Sequence, residues 1–133
     1  MRGIVLADTG PLYAGRDPDD EQHIRSQSQL GQLAFQNLKV VVPYSTLLES
    51  YTLVMRKLGT HSSQEFLKEI VRGSIFENPT PADYRKAFSR ILRYRDQYVT
   101  LVDAVIAEMS VRLEAPVWTF DHHFDVMGVA VWR

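Results

Sequence analysis

Short runs of consecutive apolar residues punctuate this chain at intervals: Ile4-Val5-Leu6-Ala7, Val40-Val41-Val42, Ile75-Phe76, Val117-Trp118 and Val129-Ala130-Val131-Trp132. They predict strands at about residues 3–7, 39–42, 74–77, 117–120 and 129–132. Runs of this kind, rather than apolar–polar alternation, are expected of strands covered on both faces. Between them lie stretches with helical punctuation. A helix is predicted over 19–37, opened by Asp19, Asp20 and Glu21, with Leu30, Leu33, Ala34 and Leu38 as its apolar stripe. Another spans 45–58 and stops at Gly59. Ser62-Ser63-Gln64-Glu65 reads as a capping box opening 62–72. Thr80-Pro81-Ala82-Asp83 opens a helix to about Arg95, and a more apolar one runs from Thr100 to about Glu114. Short helical turns are predicted near residues 11–14 and 122–127, with residues 15–18 as a loop. Strands alternating with helices predict a three-layer α/β/α sandwich on a mainly parallel sheet.

The 133 residues are expected to form a single domain, residues 1–133, with a genuine core. A net charge of −1 advertises no global attraction to nucleic acid, though it leaves room for a local basic patch. Cysteine is absent, which excludes disulfides and thiolate metal sites. The first apolar run is too short for a secretory signal, and no stretch reaches the length of a spanning helix. The expected location is the cytoplasm.

Four acids interrupt this apolar pattern. Asp8 ends the first run, Asp121 follows Val117-Trp118-Thr119-Phe120, Asp103 breaks Leu101–Ala107, and Glu49 lies inside Tyr44–Tyr51. Buried carboxylates are costly unless paired or metal-bound. In parallel sheets ligands bind beyond the carboxyl ends of the strands, where Asp8 and Asp121 stand. Glu49 and Asp103 fall in first turns of helices that can face the same edge. Each acid also has a local reading. Glu49 completes a capping box with Thr46, Asp103 one with Thr100, and Asp8 and Asp121 can cap the turns after them. The joint arrangement suits Mg²⁺ or Mn²⁺, which prefer oxygen ligands, and in-line hydrolysis of a phosphodiester.

Ala7-Asp8-Thr9-Gly10, Glu49, Val102-Asp103-Ala104 and Thr119-Phe120-Asp121-His122-His123-Phe124 resemble the four signature blocks of PIN-domain nucleases, in order. The chain's length resembles that of VapC-type toxins of toxin–antitoxin pairs. The resemblance implies a metal-dependent endoribonuclease with Asp8, Glu49, Asp103 and Asp121 as catalytic acids, the three aspartates holding Mg²⁺ or Mn²⁺. It implies supporting hydroxyls at Thr9 and Thr119, Asp125 as a less regular fifth acid, an RNA substrate, an antitoxin partner and a homodimer. Two other functions fit the same sheet: a non-catalytic module that holds RNA or protein, and a small-molecule phosphatase. The HAD-type phosphatase pattern, Asp-x-Asp at the first strand end, is not met by Asp8-Thr9-Gly10.

Three further features carry expectations. Lys86, Arg90 and Arg93 share a helix face and are candidates for contact with RNA phosphates or an acidic partner. Tyr51, Leu53, Val54, Met55, Phe66 and Leu67 are candidates for an exposed apolar patch that accepts a partner. Of the tandem His122-His123, adjacent helical side chains are expected to diverge, leaving one exposed.

Overall fold

The computed structural model describes residues 3–133. The strands are β1 (Ile4–Ala7), β2 (Lys39–Pro43), β3 (Ile75–Glu77), β4 (Val117–Trp118) and β5 (Val131–Trp132). The helices are α1 (Thr9–Arg16), α2 (His23–Phe35), α3 (Tyr44–Leu58), α4 (Thr60–Gly73), α5 (Pro81–Ile91), α6 (Leu101–Leu113) and α7 (His123–Val126). All strand pairings are parallel, in the order β3-β2-β1-β4-β5. The chain therefore builds outward from β1 through β2 to β3, then crosses back to lay β4 and β5 on the other side. The order reverses between β1 and β4, the kind of switch point at which open α/β sheets bind ligands.

Successive strand residues point to opposite faces, and the packing follows that alternation. Ile4, Leu6 and Val41 pack with Ala104, Val105 and Met109 of α6. Val5, Ala7, Val42 and Trp118 pack with Tyr13, Leu33, Val54, Phe66 and Ile70 of α1 to α4. A third cluster joins Ile106, Ala107 and Val117 to Phe124 and Met127 beside α7. Every residue from Asp103 to Ser110 is buried, so α6 is apolar around most of its circumference. Val54 and Phe66 belong to this core, which removes them from the expected patch. Of that set Met55 is exposed, while Tyr51, Leu53 and Leu67 are half-buried.

Helix boundaries differ from the sequence reading for identifiable reasons. The Thr80/Asp83 capping box forms as expected, with both reciprocal bonds present. The Ser62/Glu65 box does not form, because α4 already begins at Thr60. Ser62 Oγ instead accepts from Arg16 Nε, and Glu65 pairs with Lys68. Gly59 ends α3 and starts α4 at once; its φ of 94° is one that side-chain-bearing residues rarely adopt. Asp19, Asp20 and Glu21 lie in turns before α2, with Asp20 Oδ1 accepting from Gln22 N–H. Residues 9–16, read as a short turn and loop, form a full helix, α1. Ser26 Oγ donates to Pro11 O at 2.6 Å and docks it on α2. No described helix is long and apolar enough to cross a membrane.

Candidate active site

Because Ala7 is in register with Trp118, the residues that follow them leave the sheet side by side. Asp8 N–H still donates to Trp118 O at 3.0 Å. Thr119 Oγ1 donates to Asp8 Oδ2 at 2.8 Å and accepts from Asp121 N–H at 2.9 Å. One hydroxyl thus ties the acid after β1 to the acid after β4. Asp8 is only 7% exposed. Burial pushes its pKa up to about 6; bonds from Thr119 and the Thr9 N–H pull it partly back, and the charges of Asp103 and Asp121 push it up further.

Asp103 caps its own helix and also faces the other acids. Thr100 Oγ1 accepts from Asp103 N–H at 3.1 Å and Thr100 N–H donates to Asp103 Oδ2 at 3.4 Å, a capping box at the start of α6. The same carboxyl is buried beside the other acids. Burial and the charges of Asp121 and Glu49 raise its pKa against the opposing pull of the Thr100 bonds. Glu49, by contrast, caps nothing. α3 begins at Tyr44, so Thr46 is already inside the helix, and its buried hydroxyl finds no hydrogen-bond partner. Glu49 is also exposed rather than buried, a correction to the apolar pattern around it.

Asp8, Glu49, Asp103 and Asp121 line one open cleft of about 410 Å³, together with Thr9, Gly10, Thr100 and Phe120. Among the described residues no lysine or arginine pairs with any of the four acids. The ion pairs that do form join Arg16, Lys68, Arg90, Arg112 and Arg133 to Glu69, Glu65, Glu108, Glu77, Asp83 and Asp125. Three carboxylates at the sheet edge and a fourth on α3, uncompensated by cations, match the donor set that Mg²⁺ and Mn²⁺ prefer. Thr9 Oγ1, buried without a partner among the described residues and lining the same cleft, is a further unused oxygen.

The structure separates the other candidates. Asp125 does not line the cleft; it pairs with Arg133 on the surface. Arg90 is turned inward. Its guanidinium donates to Met127 O at 3.0 Å and to Glu108 Oε1 at 3.2 Å, with side chains 12% and 10% exposed. The stripe available for contact is therefore Lys86 and Arg93, with Arg85, around a second cleft of about 370 Å³. α5 ends at Ile91, so Arg93 projects from the turn that follows. Arg25 was not found from sequence: its guanidinium stands 4.7 Å from the centroid of the Phe120 ring, which lines the cleft. Their separation along the chain left no local signal. Of the paired histidines His122 is the exposed one, as expected, but the rings converge rather than diverge, with centroids 4.3 Å apart. His122 precedes α7 rather than lying in it, so helical geometry does not force the rings apart.

No family model and no curated protein matches the sequence. Solved structures do match the fold. VapC20 of Mycobacterium tuberculosis, described as a sarcin-ricin loop cleaving toxin, superposes with a TM-score of 0.86 at 18% identity, over 97% of this chain and 98% of that one. VapBC2 of Rickettsia felis, solved on a DNA fragment from its promoter, gives 0.74 at 11% identity, over 98% and 97%. FitAcB of Neisseria gonorrhoeae gives 0.69 at 21% identity, over 98% and 96%. The five-stranded parallel sheet, its helices on both faces and its near-complete superposition on these proteins establish that the chain has a PIN-like α/β/α fold.

Proposed function

We propose that this protein is a divalent-metal-dependent endoribonuclease acting as the toxin of a toxin–antitoxin pair. The observation that carries the reading is the convergence of Asp8, Glu49, Asp103 and Asp121 on one cleft at the sheet's switch point, with no lysine or arginine pairing them among the described residues. The description of VapC20 as an RNA-loop-cleaving toxin supports the choice of substrate.

Asp8, Asp103 and Asp121 would hold the Mg²⁺ or Mn²⁺. Such an ion, when bound, neutralises phosphate-oxygen charge and lowers the pKa of a water. Thr119 fixes the Asp8 carboxyl through its hydrogen bond and so orients the deepest acid. Asp103 is held by its own cap, which sets its rotamer before any ligand arrives. Glu49 is exposed at the mouth and is the acid best placed to accept a proton from an attacking water. Arg25 beside Phe120, and Lys86 and Arg93 around their separate cleft, contact RNA phosphates. The partner reading rests on a groove of about 660 Å³ lined by Leu48, Glu49, Leu53, Arg56 and Val102, which shares Glu49 with the acid cleft. An antitoxin segment seated there would cover the cleft mouth. A homodimer is part of the same proposal, and light scattering that shows only monomer over a wide concentration range removes it.

The test is cleavage of structured RNA by purified protein, with single-stranded DNA and a chromogenic phosphomonoester in parallel. RNA cleavage that requires Mg²⁺ or Mn²⁺, is abolished by EDTA and is lost in Asp8→Asn and Asp103→Asn supports the proposal. Full cleavage by well-purified Asp8→Asn overturns the metal-site reading. Turnover of the phosphomonoester alone identifies a phosphatase, and RNA binding without cleavage identifies a non-catalytic module.

A further inference from the structure

Beside the carboxylate cleft lies a second donor set of different chemistry. Asp121 Oδ1 accepts from His123 N–H at 2.9 Å, which bends the chain so that the carboxylate faces both imidazoles. His123 Nδ1 stands 2.9 Å from that oxygen and His122 Nδ1 3.9 Å from it. One ligand atom from each of the three residues fits within 4.8 Å of the others. Ligands about 2.0–2.1 Å from a tetrahedral ion stand roughly 3.3 Å from one another, and the two observed separations bracket that value. His123 Nδ1 is fully buried and makes no hydrogen bond despite its proximity to Asp121, because the contact lies off the bonding direction. Its lone pair or proton is unsatisfied among the described residues.

We propose that Asp121, His122 and His123 form a binding site for an imidazole-preferring divalent transition-metal ion such as Zn²⁺. Imidazole donors select such ions over Mg²⁺, which requires oxygen and keeps its waters. Three protein ligands leave a fourth position open. His122 is 74% exposed and His123 15% exposed, so the site has one anchored imidazole and one accessible from solvent. The site takes Asp121 from the acidic cleft, so occupancy by Zn²⁺ places positive charge at the edge of that cleft. The binding proposal holds whatever reaction the cleft performs.

The experiment is calorimetric titration of Zn²⁺ into the full chain under excess Mg²⁺, with ¹⁵N detection of the four histidine rings. The parent is expected to bind one Zn²⁺ per chain, with the His122 and His123 resonances moving and those of His23 and His61 unmoved. His122→Ala, at an exposed position that does not endanger folding, is expected to weaken binding about tenfold or more. The variant lacking both imidazoles is expected to lose it, and Asp8→Asn is expected to retain it. Unchanged Zn²⁺ affinity in His122→Ala overturns the proposal. So does loss of Zn²⁺ in Asp8→Asn but not in the histidine variants, since that places the ion in the carboxylate cleft. Neither result bears on whether the parent cleaves RNA in Mn²⁺, so the two proposals fail separately.

Discussion

Replacing Asp8 by asparagine removes a charge that the folded chain does not stabilise well without a metal. Asp8 titrates near 6 in the folded protein against 3.8 as a free side chain, mainly because it is buried. At about 1.4 kcal/mol per pKa unit, ionised Asp8 costs the metal-free fold about 3 kcal/mol. The folded-state pKa is the higher of the two, so the stabilising contribution is complete below pH 3.8 and is lost as pH rises through about 6. Asparagine is isosteric and its oxygen still accepts from Thr119. Its NH₂ group, however, replaces an oxygen near the Thr9 N–H, which offsets about 1 kcal/mol. The net expectation is that Asp8→Asn in EDTA at pH 8 is more stable than parent by about 2 kcal/mol, or roughly 7 °C in Tm for a chain of this size. At pH 4 the advantage disappears. Saturating Mn²⁺ reverses the order, because parent gains about 2.7 kcal/mol at a hundredfold excess over Kd and a variant that has lost a metal ligand gains little of it. Thermal melts of both proteins at pH 4, 6 and 8, with EDTA and with Mn²⁺, measure all of this. A parent-minus-variant difference that does not change with pH refutes the reasoning, and so does a variant less stable than parent throughout.

Glu49→Gln should abolish RNA cleavage with stability unchanged, because Glu49 is exposed and caps no helix; a stability loss above about 1 kcal/mol would restore the capping role. Thr119→Val removes the hydroxyl that links Asp8 to Asp121 and leaves a buried acceptor short, costing about 1–3 kcal/mol in denaturant unfolding; Thr119→Ser should recover most of it, and a null effect would deny the link. Arg90→Ala leaves Glu108 buried without its cation and should destabilise by about 3–5 kcal/mol, whereas Arg93→Ala should leave stability within about 0.5 kcal/mol and weaken RNA binding with a reduced salt dependence. Equal unfolding midpoints for Arg90→Ala and parent would show that the inward pair is not structural.

The local pattern carried much of the fold and less of the site. Uninterrupted apolar runs such as Ile4–Ala7 and Val40–Val42 identified strands covered on both faces, because only a strand buried on both faces omits polar alternation. The Thr80/Asp83 and Thr100/Asp103 boxes marked helix starts correctly, since both partners of such a box lie within one turn. Ser62/Glu65 and Thr46/Glu49 have comparable spellings and failed. In each case the helix began earlier, against Gly59 or directly after Pro43, where the strand and the joint between helices set the start. Four misplaced acids were visible as interruptions of apolar runs. That Asp8 and Thr119 share a hydrogen bond was not, because it depends on parallel pairing between strands more than a hundred residues apart.

What the sequence determined by itself is the order of elements and the two-sided burial of the sheet, with Asp8 and Asp103 marked as acids inside buried runs. What only the tertiary structure decided is which of these side chains meet. Strand order placed β1 beside β4 and so brought Asp8, Asp121 and Asp103 to one edge. The same packing turned Arg90 inward to Glu108, sent Asp125 to Arg133, and drew Val54 and Phe66 into the core. It also set His122 and His123 against Asp121. Periodicity records which face a residue shows to its own element. Contacts between elements depend on register and crossing order, which no local window of sequence contains.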